Sequence, residues 1–210
     1  MFRDRKDAAT QLAAQFNDKS LHEPIVLAIP RGGVAVGAKL AERLSAELDV
    51  VLSRKLRAPH QPELAVGAIA EDGHTFVSDS IAQATHATAE YLAAEKEYQL
   101  AEIERRKTLF RKVRLAAVLR GRTVIVTDDG IATGATMLAA LQSIRAQVPR
   151  EIILAVPVAA PGRLKPLAKW CDQIICLAQP SDFNSVGQFY TDFTQLEDED
   201  VVELLTKSID

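Results

Sequence analysis

Fifteen residues, Thr123 to Met137, change character three times and restrict the chain to few folds. They read Thr-Val-Ile-Val-Thr-Asp-Asp-Gly-Ile-Ala-Thr-Gly-Ala-Thr-Met. The β-branched apolar segment Val124 to Val126 has the composition of a buried strand, and Asp128 and Asp129 stand at its carboxyl end. Gly130 and Gly134 bracket a loop of small residues. The spacing of Met137, Leu141, Ile144 and Val148 then predicts a helix with one apolar face starting near Gly134.

Unpaired amide N–H groups at a helix start, with the helix dipole behind them, attract an anion, and small side chains let a phosphate approach the backbone. Thr133 and Thr136 add hydroxyl donors. The two carboxylates would repel that phosphate, so they serve another part of the same ligand: sugar hydroxyls or a divalent cation. A phosphate with a diol a few ångströms away is a ribose 5-phosphate. The bland alternative is an ordinary strand-to-turn exit followed by a helix start.

The hydrophobic strand, the acidic pair and Ile131-Ala132-Thr133-Gly134-Ala135-Thr136 together resemble the phosphoribosyl diphosphate (PRPP) signature of type I phosphoribosyltransferases. The resemblance implies that Asp128 and Asp129 hold the ribose 2- and 3-hydroxyls. It also implies that the backbone of Ala132, Thr133, Gly134, Ala135 and Thr136 holds the 5-phosphate, and that Mg²⁺ arrives with PRPP, with Asp128 and Asp129 as candidate ligands. Family members acting on 6-oxopurines carry an aspartate just before the Thr-Gly. Ala132 stands there instead, which disfavours hypoxanthine and guanine as acceptors. The family's usual aliphatic residue after the acidic pair is replaced by Gly130, a departure expected to loosen the loop.

A second strand-loop-helix unit lies upstream. Ile25 to Ile29 is an apolar run, Pro30-Arg31-Gly32-Gly33 follows, and Val34, Gly37, Leu40, Ala41 and Leu44 form one helix face. Two glycines bring N–H groups close to a ligand and Arg31 adds a fixed charge. Alone this is equally a tight turn; beside the acidic element it resembles the family's diphosphate loop, where an unusual backbone conformation is common. Asp49 to Ser53 reads as the next strand, ending in Arg54-Lys55. Cations at a strand end often only decorate a surface. The resemblance implies a lysine reaching the diphosphate, so Lys55 joins Asp128 and Asp129 as a candidate catalytic residue, although a register error of one would exchange it for Arg54.

Residues 56–121 depart from compact family members. Ala58 to Pro62 looks extended or mobile, Ala65 to Ala70 and Thr75 to Ser78 read as a hairpin, and Ile81 to about Arg114 is a helical tract without a clean apolar stripe. That tract is either a solvated helix or a dimer or lid element. Beyond the central element come a strand at Glu151 to Val156 that Pro157 should end, a short helix at Gly162 to Lys169 and a last strand at Ile174 to Leu177. Arg3 to Asn17 reads as an amphipathic packing helix, and Glu197 to Asp200 as the acidic opening of a final helix. Aromatics gather in 179–195, where Phe183 and Tyr190 are candidates for a hood over a base; the same rings could instead seal the core.

The alternation of strands and one-faced helices implies an α/β fold, a parallel sheet with helices on both faces, carrying an inserted hairpin plus long helix and a C-terminal hood. The expected organisation is one phosphoribosyltransferase domain over 1–210. A net charge of −3 without a basic block excludes a nucleic-acid surface. No apolar run approaches the roughly 20 residues of a membrane span, and Arg3 to Asp7 is charged throughout, unlike a signal peptide. Cys171 and Cys176 suit a reduced, cytoplasmic protein, and the four histidines are scattered. The resemblance implies 5-phosphoribosyl transfer from PRPP to a nitrogen acceptor, a nucleobase, by a Mg²⁺-dependent homodimer. The competing class is a non-catalytic PRPP or nucleotide regulator on the same fold.

Overall fold

A computed structural model describes residues 1–208; residues 209 and 210 of the expected domain lie outside the described residues. Helix α1 (Arg5–Ala13), continued by a 3₁₀ turn to Phe16, starts on Asp4, whose carboxylate accepts from the Asp7 amide at 2.8 Å. Strand β1 (Ile25–Ala28) leads into α2 (Gly32–Leu44), and β2 (Glu47–Val50) follows. The chain then leaves the main sheet for β3 (Ser53–Ala58), β4 (Gln61–Ala70) and β5 (Thr75–Val77). Helices α3 (Asp79–Ala84) and α4 (Ala89–Phe110) return it to β6 (Thr123–Thr127), α5 (Ala135–Ala146), β7 (Glu151–Val158), β8 (Gln173–Ala178) and α6 (Asp198–Lys207).

The main sheet has five parallel strands in the order β2-β1-β6-β7-β8. Every residue of β1 and β6 is buried, as expected of strands covered on both faces. Leu12, Val34, Leu40, Val201 and Leu205 cover one face, and Met137, Leu141, Ile144 and Leu167 the other. The order turns outward between β1 and β6, so the loops after these two strands flank one crevice at the carboxyl edge. These are the loops that carry Arg31 and Asp128.

The expected Asp49–Ser53 strand is divided. β2 stops at Val50, and Ser53 opens an antiparallel three-stranded sheet ordered β3-β4-β5. The run Val50-Val51-Leu52 contains no glycine or proline to signal the change of sheet. The segment from Ala58 to Pro62 is a tight hairpin, with Ala58 paired to Gln61. Pro157 does not end β7: the ladder to β8 skips it and resumes at Val158 with Ala178, a loss of one rung. The expected helix at Gly162 to Lys169 is reduced to a 3₁₀ turn, Leu167–Lys169.

The helical tract of the insertion divides at Thr85 to Thr88, and its long part, largely solvated, still buries one stripe. Glu95 and Gln99 are buried on α4. Glu95 Oε1 accepts from the Arg57 amide at 3.0 Å and from Arg57 Nε at 2.8 Å, and Arg57 Nη2 donates to Oε2 at 3.0 Å. Gln99 donates to Glu95 at 2.8 Å and accepts from Arg54 Nε at 2.5 Å, while the Tyr91 hydroxyl donates to the Arg57 carbonyl at 3.1 Å. Tyr91, Glu95, Gln99 and buried Ile103 recur every fourth residue, so one face of α4 docks on β3 mainly through polar groups. Replacing Glu95 by Ala leaves the buried face of Arg57 without an acceptor. E95A should lower the unfolding free energy by about 2–3 kcal/mol in urea denaturation, the range for hydrogen bonds to charged groups. Hydrogen exchange should quicken first in α4.

Candidate functional site

The acidic pair sits where β6 ends. The Asp129 amide donates to Asp128 Oδ1 at 2.8 Å, folding the pair into a tight corner. The chain is then anchored to the end of β7: the Ile131 amide donates to the Val158 carbonyl at 2.9 Å, and the Ala160 amide to the Ile131 carbonyl at 2.8 Å. Gly130 does not loosen this loop. A Cβ there would lie 2.6 Å from Val186 Cγ1 and 2.9 Å from Val158 Cγ1, so the hood's Val186 fills the volume that an aliphatic side chain at 130 would take. Ala132 and Thr133 are exposed, and Gly134 turns the chain at φ +82° into α5, a conformation suited to glycine.

Helices α2 and α5 both begin at this crevice, and neither has a side-chain cap, in contrast to α1 and to α4, whose Thr88 accepts from the Tyr91 amide. The first-turn amides of α5, and those of Gly32 and Gly33 in α2, therefore have no side-chain acceptor, while the Val34 amide donates to the Arg31 carbonyl at 3.1 Å. Gly32 and Gly33 form the first turn of α2, pressed onto the acids. A Cβ on Gly32 would fall 1.9 Å from Asp129 Oδ2, and one on Gly33 would fall 2.9 Å from the Asp128 Cα. The structure thus brings Arg31, Gly32 and Gly33 together with Asp128 and Asp129. The Pro30–Arg31 peptide bond is cis. Arg31 itself turns to Glu197, just ahead of α6, at 2.5 Å.

Lys55 lies on β3 opposite Ala68. Ser53, two residues earlier, donates to the Thr136 carbonyl at 3.0 Å, so alternation places Lys55 on the strand face turned toward the start of α5. Arg54 faces α4 and Gln99. A cavity of about 260 Å³ between the hairpin and the loop is lined by Val66, Phe76, Thr133, Leu138, Arg163 and Leu167 among others.

Sequence reasoning missed Arg5 of α1, whose Nε donates to Asp129 Oδ2 at 2.9 Å. No local signal marks it, since the partners are 124 positions apart. For Tyr190 it left two readings open, a hood over a base and a seal on the core. That ring is buried, 5.4 Å from the Phe2 ring and 5.1 Å from that of Phe193, and its hydroxyl donates to the Asp129 carbonyl at 2.6 Å. Tyr190 seals and braces the acidic corner and offers no open face to a base. Phe183 is half-buried with its ring tilted on Phe189.

Burial pushes both carboxyls upward. Asp128 is held well above the usual aspartate range by desolvation and then by the charge of Asp129, while the rise at Asp129, also from desolvation, is opposed by Arg5. Burial likewise raises the Tyr190 phenol. Among the described residues no three His, Cys, Asp or Glu side chains gather as a metal cluster. Magnesium is commonly held by one or two carboxylates plus substrate oxygens, and this pair suits that pattern. Cys171 and Cys176 are free thiols; burial lifts Cys171 to about 11.

The profile of the phosphoribosyl transferase domain matches residues 3–194. This chain belongs to that family. A provisionally named phosphoribosyl transferase found in two Mycobacterium tuberculosis strains is 43% identical over 208 residues, 99% of this chain and 47% of its own length. The chain thus spans about half the length of these relatives. The structure of TT1426 from Thermus thermophilus superposes with a TM-score of 0.84 at 41% identity over 98% of both chains. The AQ2163 protein of Aquifex aeolicus shares the fold alone, with a TM-score of 0.54 at 15% identity over 96% of this chain and 82% of its own. The parallel sheet and its helices are thus those of the phosphoribosyl transferase family, and among the described residues no helix is long and apolar enough to cross a membrane.

A carboxyl whose folded-state pKa is raised opposes folding once it ionises. In this chain, the penalty at Asp128 is absent below the unfolded value of about 3.9 and grows as pH rises toward the folded value. Asn can still accept from the Asp129 amide. Asp128→Asn should therefore raise the melting temperature at pH 8, with the gain vanishing below about pH 4. Thermal unfolding across pH checks this; a destabilised variant at pH 8 contradicts it.

Proposed function

We propose that the chain transfers a 5-phosphoribosyl group from PRPP to a nitrogen acceptor, a nucleobase, releasing diphosphate. The observation that carries this reading is the pair of uncapped helix starts flanking one buried diacid. The amides of 132–136 and the hydroxyls of Thr133 and Thr136 take the 5-phosphate, and Asp128 and Asp129 take the ribose diol. The α2 amides at Gly32 and Gly33, with Arg31 and Lys55, take the diphosphate.

Displacement breaks the bond between the anomeric carbon and diphosphate and forms one to the acceptor nitrogen, through a carbon with developing positive charge. The protein's contribution is to stabilise the leaving diphosphate with cations and fixed dipoles and to exclude water, since hydrolysis is the competing outcome. Magnesium, held by Asp128, Asp129 and PRPP oxygens, would neutralise diphosphate charge. Ala132 leaves no carboxylate where 6-oxopurine enzymes carry one, so adenine or a pyrimidine is the better acceptor. A magnesium-dependent homodimer in the cytoplasm completes the reading and rests on the family likeness.

Calorimetric titration with PRPP and Mg²⁺, then a diphosphate-release screen over nucleobases, tests the assignment. Binding followed by release with one base supports it, and binding without release for any acceptor favours a regulator. Lys55→Ala should cut turnover about a hundredfold, the scale of one well-placed donor.

Arg31 must leave Glu197 to meet a diphosphate. With side chains 29% and 54% exposed, that pair is worth at most about 1 kcal/mol. Glu197→Gln should therefore tighten PRPP binding by up to about fivefold, with the melting temperature of the unliganded protein falling by at most about 2–4 °C. Weaker binding would show that Glu197 assists the site.

A further inference from the structure

We infer that Arg5 is a positioning residue of this site, holding the Asp129 carboxylate in place for the ribose diol. The inference rests on the phosphoribosyl reading above and adds a residue outside its signature.

Three contacts fix the guanidinium. Nε donates to Asp129 Oδ2 at 2.9 Å, Nη1 donates to the Thr194 carbonyl at 2.8 Å, and the guanidinium carbon lies 3.9 Å above the centre of the Phe193 ring. Nη2 lies 3.2 Å from the place a Cβ on Gly32 would occupy, beside the first turn of α2. The side chain therefore touches the acidic corner, the hood and the anion-binding helix start at once. Arg5 is 9% exposed, an unusual place for an arginine that only anchors a helix. The apolar residues Ala8, Ala9 and Leu12, each fully buried, already dock α1.

Asp129 is gripped from two sides: Arg5 holds its side chain and Tyr190 its backbone carbonyl. Arg5 engages Oδ2, one of the two carboxylate oxygens. A planar donor fork defines that oxygen's direction better than a point charge does.

The test compares Arg5→Gln, Arg5→Lys and Phe193→Ala with wild type, by PRPP–Mg²⁺ calorimetry and steady-state kinetics. Arg5→Gln should weaken PRPP binding and raise its KM on the order of tenfold, with kcat within about threefold because the leaving-group contacts are intact. Arg5→Lys should recover part of the affinity, and it carries the test if the Gln variant does not fold. Phe193→Ala removes the ring under the guanidinium but keeps the Asp129 pair, so it should lower the melting temperature without the KM shift. The inference is overturned if Arg5→Gln binds PRPP as wild type does, or if Phe193→Ala reproduces its KM change. Failure of the wild type to bind PRPP would instead remove the functional reading, and this inference with it.

Discussion

Two carboxylates placed side by side at the closed end of a parallel sheet are an unfavourable arrangement, and the surroundings of Asp128 and Asp129 can be read as responses to it. Both are raised by desolvation, Asp128 most of all. A guanidinium from α1 opposes the rise at Asp129, the Asp129 amide bonds to Asp128, and a tyrosine hydroxyl fixes the carbonyl between them and the loop. A solvent-facing strand tip would need none of these. Retaining a destabilising pair inside such bracing is the pattern expected where binding, not folding, decides the residues.

The glycines next to the pair serve the same end. Neither Gly32 nor Gly33 has positive φ; both are helical, where alanine would favour the helix. Close approach excludes it, since a Cβ would occupy the acids' own positions. Bringing the amide end of α2 against a diacid is electrostatically favourable even without ligand. Arg31, at the same end, is neutralised by Glu197, so the positive end of the helix is balanced on both sides.

How much of this was legible depended on whether a segment's partners were local. The β6–α5 and β1–α2 units could be read because strands buried on both faces show continuous apolar runs, and the small-residue loops after them have few alternative uses. The β3 strand could not: within Arg54-Lys55-Leu56-Arg57 the two arginines bond to Gln99 and Glu95, some forty residues away in sequence, and a search for apolar stripes passes over a helix that docks by polar ones. Arg5 is hidden for the same reason. Tyr190 shows a different limit. Its aromatic neighbourhood was plain, but composition does not say whether a ring's faces are open, and here Phe2 and Phe193 cover them.

The polar face of α4 also explains how a distant insertion bears on the start of α5. Strand residues alternate faces, so whichever face Arg54 takes, Lys55 takes the other. Gln99 engages Arg54, and Glu95 engages Arg57 beyond an irregularity that falls after Leu56. From the opposite face Ser53 ties β3 to the first turn of α5. These two attachments set the register: slipping β3 by one residue would present Arg54 to the loop and turn Lys55 toward Gln99. The insertion thus bears on which face of β3 Lys55 takes, through Gln99 on Arg54 and Glu95 on Arg57.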